Sequence, residues 1–191
     1  MSTKTIETTI DQQIKLIDTF LRSQEKSLQD IAAQLVSAFH RGGRLFLTGT
    51  GPFGAIASLV GQTFLHRQTI ERPALPAVAL TNDAGLATFL AAEDQANQFF
   101  SRQLRALAKT DDFVLIMAGT FLDLAQKEAI STAKQLGCRT ILIASQNMEL
   151  SNLLPDYSIA VPSDAEPRLH ECALSIGNLL CALVESELFG I

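Results

Sequence analysis

Arg44-Leu45-Phe46-Leu47-Thr48-Gly49-Thr50-Gly51-Pro52-Phe53-Gly54 is the stretch on which the fold turns. A short apolar run reads as a buried strand, the glycines as a tight turn, and Ile56, Leu59, Val60 and Phe64 follow at helical spacing. Working outward, Pro76–Leu80, Phe113–Met117, Thr140–Ala144 and Tyr157–Val161 are four more strand-like runs. Between them, helical patterns cover Leu86–Leu90, Phe99–Leu107 and Leu122–Leu136, the last stopping at Gly137. Strands apolar at consecutive positions must be covered on both faces, which predicts a three-layer α/β/α arrangement with a five-stranded parallel sheet. Ligands of such sheets gather at the carboxyl ends of the strands.

Upstream, Ile10, Ile14, Ile17 and Leu21 mark one helical face, and Leu28, Ile31, Leu35 and Phe39 mark a second after the polar break at Ser23–Glu25. The reading is one domain over residues 1–191, with a helical arm over 1–42 and an α/β core over 43–191. The C-terminal remainder is one long helix, striped by Leu169, Cys172, Ile176, Leu179 and Leu183. Apolar residues make up 47% of the chain and charged residues 18%, which suits a buried core and argues against a disordered chain. The formal net charge of -5, with no run of Lys or Arg, excludes a direct nucleic-acid footprint. No window reaches the about 18 uninterrupted apolar residues that a bilayer span needs, and the N-terminus has no signal-like apolar run. Cys138, Cys172 and Cys181, odd in number and without CxxC spacing, read as free thiols of a reducing compartment. The expected location is therefore the cytoplasm, with no membrane partner.

Gly49-Thr50-Gly51-Pro52-Phe53-Gly54 satisfies GxGxxG in letters, and a nucleotide-binding turn is one alternative. Two helices precede the strand, however, and Asn82-Asp83 after the next strand comes later than the about 20 residues at which a ribose-binding acid is expected.

The two-helix arm, GGRLFLTGTG, HRQTIERPALPAVAL, DDFVLIMAGT and PRLHECALSIGNLLCALVESELF together resemble the phosphoheptose isomerase (GmhA) branch of the sugar isomerase (SIS) family, from about Gln13 to Phe189. Over Glu71–Ala77 and at Leu188-Phe189 the likeness is to the non-enzymatic, DnaA initiator-associating (DiaA-like) members of that branch. The resemblance implies a flavodoxin-like fold and a homotetramer, or at least a homodimer, with ligand clefts at subunit interfaces. It also implies a phosphosugar ligand, whose phosphate contacts fall on Thr50, Gly51, Phe53 and Thr120, with Arg67, Arg168 and Glu171 matching further family positions.

Two features of the resemblance point away from catalysis. Phe53 stands where the family has a hydroxyl, and a phenyl ring neither donates to a phosphate nor leaves it room unless the ring swings away. The family's metal and acid/base positions fall on Leu59, Thr63, His170 and Asn178, whereas a 1,2-proton shift needs a base and a group that polarises the carbonyl. A zinc site from His66, His170 and Cys172 has no supporting spacing, so no metal or cofactor is expected. The expectation is a non-catalytic SIS protein that binds a phosphosugar, a protein partner of the replication-initiator type, or both, with Leu188 and Phe189 as the partner-binding residues. The alternative is a phosphoheptose isomerase, acting on sedoheptulose 7-phosphate, with a degenerate active site: His170 as base, beside Glu93 or Asp94.

Overall fold

The computed structural model describes residues 2–68, 70–150 and 153–190. The arm comprises helix α1 (Ser2–Lys15), a π-helical turn over Leu16–Leu21 and helix α2 (Glu25–His40). The core follows as β1 (Leu45–Gly49), α3 (Pro52–Leu65), β2 (Ala77–Ala79), α4 (Ala84–Ala92), α5 (Phe99–Leu107), β3 (Phe113–Met117), α6 (Leu124–Gln135), β4 (Arg139–Ser145), β5 (Tyr157–Val161) and α7 (Glu166–Phe189). All five strands are parallel, in the order β2-β1-β3-β4-β5.

Side chains alternate across a strand, and the alternation divides the core in two. Leu45, Leu47, Phe113, Leu115, Met117, Ile141, Ile143, Ile159 and Val161 face a layer built from α2, α3 and α7. Phe46, Val114, Ile116, Leu142 and Ala144 face the other layer, meeting Phe100, Leu104 and Ile130 of α5 and α6. A side chain buried this way contributes roughly 1.5–3 kcal/mol, so the unbroken apolar runs are what require helices on both faces.

Helix α7 is long and apolar enough by composition to cross a bilayer, but its apolar residues are spent on this core: Leu169, Cys172, Ile176, Leu180 and Val184 are buried against it. Its approach to α3 is close. A Cβ at Gly177 would lie 2.5 Å from Cγ2 of Val60, so only glycine admits this crossing. The two helices are also joined through Arg72, whose Nε lies 2.7 Å from Glu185 Oε1, both side chains being buried.

The two ends of the sheet differ. At the amino end Asp112 is buried and accepts from the amides of Arg44 and Lys109, 2.8 Å each, which closes that edge. At the carboxyl end the chain leaves β1 toward α3 on one side and β3 toward α6 on the other. The strand order reverses between these two strands, which opens a crevice.

Candidate functional site

The crevice begins with the turn Gly49–Phe53. Gly51 sits at φ 54, a conformation glycine adopts without steric cost, and Pro52 starts α3 with its fixed φ. Gly49 and Gly54 are demanded by packing: a Cβ on Gly49 would come 2.6 Å from the Phe53 backbone, and one on Gly54 would come 2.9 Å from the Gly49 carbonyl oxygen. The turn therefore accounts for all three glycines of the nucleotide-like fingerprint without a ligand. Asp83, after β2, caps α4 by accepting from the Leu86 amide at 2.8 Å.

Thr50 and the β3–α6 loop meet across the crevice. The Thr50 hydroxyl donates to Oδ2 of Asp123 at 2.6 Å, and Asp123 also accepts the Gln126 amide in a capping box that starts α6. Thr120 is half-buried, and its hydroxyl, together with the amides of Thr120 and Phe121, makes no hydrogen bond within the described residues. On the β1–β2 side lies a cleft of about 530 Å³, lined in part by Thr50, Ser58, Leu59, Gln62, Asn82 and Asp83.

The first turns of α7 close the crevice from below. The Phe53 ring is 5% exposed: it turns away from the crevice into the core and meets the His170 ring edge-on, centroids 4.6 Å apart at 71°. The phenyl ring thus belongs to the core packed under α7. His170 Nε2 lies 3.3 Å from Oε2 of Glu166 without hydrogen-bond alignment, and Nε2 is buried with no other partner. The other carboxylate oxygen, Glu166 Oε1, rests against Gly119, where any side chain would collide with it. Thr50, Gly51, Phe53, Thr120 and His170 therefore gather in one place, while Glu166, Asp123 and Gly119 are members that sequence reasoning missed. The i, i+4 spacing of Glu166 and His170 was the available signal.

Other expected residues lie elsewhere. Arg67 follows the far end of α3, about 20 Å of helix from the Thr50 turn, and pairs with Glu71. Arg168 is buried and ties the arm to α7, donating to the Thr9 carbonyl at 3.0 Å and to Glu171. Glu93 and Asp94 are exposed past the end of α4, Asp94 at φ 56. Leu188 packs against the chain's own core, Phe189 is 38% exposed, and Ile191, the last residue of that apolar end, lies outside the described residues.

The residues present do not fit the family's metal. Leu59 and Thr63 carry no ligand group of the kind required, the Thr63 hydroxyl is bonded to the Val60 carbonyl at 2.7 Å, and His66 stands at the far end of α3. Among the described residues no three His, Cys, Asp or Glu side chains gather to hold a metal ion.

A parallel sheet in the order 2-1-3-4-5, helices on both faces and a polar crevice at the switch point define a flavodoxin-like α/β protein with its candidate site on the β1 and β3 loops. The chain belongs to the SIS domain family, whose model matches residues 10–145. It is 30% identical over 181 residues to a phosphoheptose isomerase of Thermodesulfovibrio yellowstonii, covering 95% of this chain and 90% of that one. It is 34% identical over 163 residues to that of Solidesulfovibrio magneticus, covering 85% and 79%. The solved phosphoheptose isomerase of Francisella tularensis superposes with a TM-score of 0.91 at 25% identity, over 97% of this chain and 99% of that one. The GmhA structure from Neisseria gonorrhoeae gives 0.87 at 18%, over 97% and 100%.

These relatives correct one expectation. The non-catalytic, initiator-associating reading gives way, because relatives matched over nearly their whole length are named phosphoheptose isomerases. The physical reason is that the residue types at Leu59, Thr63 and Asn178 say nothing of Glu166, whose carboxylate reaches His170 from another position.

Proposed function

We propose that the chain is a phosphosugar aldose–ketose isomerase of the phosphoheptose type, working in the cytoplasm with a reduced catalytic set in which His170 is the base. The observation that carries this is the placement of His170 at the switch point, clamped between Phe53 and Glu166 beside the loop that holds Thr120. The names of the full-length relatives support the substrate class.

On the ketose sedoheptulose 7-phosphate, His170 takes a proton from C1. The C–H electron pair forms the C1=C2 double bond while the proton of the C1 hydroxyl passes to the C2 oxygen, giving an enediolate with its charge on the C1 oxygen. The proton held by His170 then returns to C2, the C1 oxygen closes to a carbonyl, and the aldose results with no net change of atoms or charge. The phosphate end rests on the unengaged Thr120 hydroxyl and the free amides of Thr120 and Phe121, with Gly51 keeping the opposite turn open.

Within one chain the crevice holds the carboxylates of Asp123 and Glu166, and neither Arg67 nor Arg168 reaches it. A phosphate dianion needs a cation there, and a second copy of the chain supplies it through Arg67. Self-association is favoured by Ile6, Ile10, Ile14 and Ile17, an apolar stripe of the arm that is 46–59% exposed. It is favoured also by the adjoining groove of about 600 Å³ between the arm and α7, lined by Ile14, Ile17, Leu28, Leu179 and Leu183. The assembly is a homo-oligomer, a tetramer in the form the resemblance implies.

The test is to incubate the purified chain with sedoheptulose 7-phosphate and follow the aldose by NMR. Turnover that disappears in His170→Ala, with the circular dichroism of the variant unchanged, is the expected result. Absence of turnover in the parent chain, or full turnover in His170→Ala, refutes the proposal.

A further inference from the structure

We propose that Glu166 is a positioning residue for His170, fixing which ring nitrogen carries the proton; this rests on the isomerase reading above. The segment Glu166-Pro167-Arg168-Leu169-His170 opens α7, so residues 166 and 170 stack one turn apart on one face. An acid in a first helical turn often does no more than meet the helix dipole. Here three contacts give it a narrower role. Oε2 stands 3.3 Å from His170 Nε2, Oε1 is seated on Gly119, where only hydrogen fits, and Phe53 presses the imidazole from the other side at 71°.

The two ring nitrogens are therefore inequivalent. Nε2 is buried with the carboxylate as its polar neighbour, which leaves Nδ1 as the nitrogen that Glu166 does not engage. A carboxylate accepts and does not donate, so in the neutral ring the proton belongs on Nε2, where a small reorientation of the carboxylate makes the hydrogen bond. The lone pair then sits on Nδ1, the nitrogen the proposal assigns to the substrate. When Nδ1 takes the C1 proton, the C–H bond breaks, its electron pair enters the C1=C2 bond, and the imidazolium forms against a resident negative charge. The proton later leaves Nδ1 for C2, and the ring returns to the Nε2–H form. Glu166 never exchanges a proton with the sugar. It sets the tautomer and the angle of the ring, the role a buried carboxylate has for a catalytic histidine elsewhere, here from a side chain that is 50% exposed.

The test uses ¹⁵N-histidine-labelled full-length chain. The sequence has three histidines, and His170→Ala assigns the signal of interest. In the parent chain at a pH where the ring is neutral, the expected spectrum shows protonated Nε2 and unprotonated Nδ1. Glu166→Ala should give a mixture of tautomers. Gly119→Ala should do the same, because its new methyl displaces only the flexible end of Glu166 and leaves the fold intact. With sedoheptulose 7-phosphate, Glu166→Ala should lower kcat roughly 100-fold while KM stays within about twofold, the signature of a mispositioned base. An unchanged tautomer in both variants, or full kcat in Glu166→Ala while His170→Ala is dead, overturns the proposal and leaves the isomerase reading standing. If the parent chain turns over no substrate, the isomerase reading fails, and the spectra alone decide the pairing of Glu166 with His170.

Discussion

Replacing Arg72 with methionine should be among the costliest single changes to the fold. Arg72 holds Glu185 Oε1 through Nε at 2.7 Å and donates to the carbonyls of Phe64 at 2.8 Å, Thr63 at 2.9 Å and Pro73 at 3.0 Å. Thr63 and Phe64 belong to the last turn of α3, whose carbonyls have no partner within the helix. The guanidinium thus caps α3 and neutralises a carboxylate of α7 at once. Glu185 has its Oε2 buried without a partner, while its Oε1 is shared among Arg72, the Gln68 amide and the Cys181 thiol. Removing one member of a buried pair costs about 3–5 kcal/mol, because the other charge stays buried. Set against a typical stability of about 5–15 kcal/mol, that is a large part of the total. With a urea slope of about 2 kcal/mol/M, the midpoint should fall by about 2 M. The assay is urea unfolding followed by far-ultraviolet circular dichroism at fixed protomer concentration, because self-association shifts the apparent stability. Arg72→Met combined with Glu185→Leu removes the stranded charge and should recover at least half of the loss. A midpoint shift under about 0.5 M for the single variant, the size expected of an exposed pair, refutes the reasoning; so does a double variant no better than the single.

Gly177→Ala drives a methyl into Val60, a β-branched side chain with little freedom to turn, and should cost about 1–3 kcal/mol; a melting temperature equal to that of the parent would contradict the close α3–α7 packing. The Asp164 carboxyl is held below its ordinary range by the Ser145 hydroxyl and next by the Asn147 amide. A lowered folded value gives stability that is present above the unfolded carboxylate range and lost as pH falls through the folded value. The difference in melting temperature between the parent and Asp164→Asn should therefore shrink from about pH 6 to about pH 3, and a constant difference would count against this account. Burial raises all three thiols, Cys138, Cys172 and Cys181, to about 11. Each should resist a thiol-specific disulfide reagent at about pH 8 in the folded chain and react at once in denaturant; fast labelling of the native protein would show that the burial is wrong.

The layers were legible because the strand signal is local and strong. Phe113–Met117 and Tyr157–Val161 were read at the observed limits, since each run is bounded by polar or turn residues. Pro76–Leu80 proved shorter, pairing only through Ala77–Ala79 at the edge of the sheet, where Pro76 has no amide to give. The helix expected from Leu122 begins at Leu124, because Asp123 takes the N-cap and pairs with Gln126 in a box that the sequence spells out. The π-helical turn at Leu16–Leu21 left no trace, since one widened turn hardly disturbs an apolar period.

The site was legible in its members and illegible in their directions. Thr50 is a hydroxyl on a turn, as read, but its proton goes to Asp123, 73 residues away, a pairing that only the closure of the sheet creates. The direction of the Phe53 ring is set by α7, which offers it the His170 ring and a place in the core. The charge of Arg67 suits a phosphate, but the length of α3 carries it out of its own chain's crevice. The same distinction bears on activity. Leu59, Thr63 and Asn178 do lack the groups that a proton shift needs, and that much follows from their letters. The step from there to an inert protein needed a further premise, that His170 stands alone. Glu166 removes that premise: it lies one helical turn from His170, with its second oxygen fitted to a glycine of the opposite loop. Under the proposed function His170 and Glu166 supply the base half of the proton shift, and the losses at the other positions, which take away groups that would polarise the carbonyl, should appear as a lowered rate.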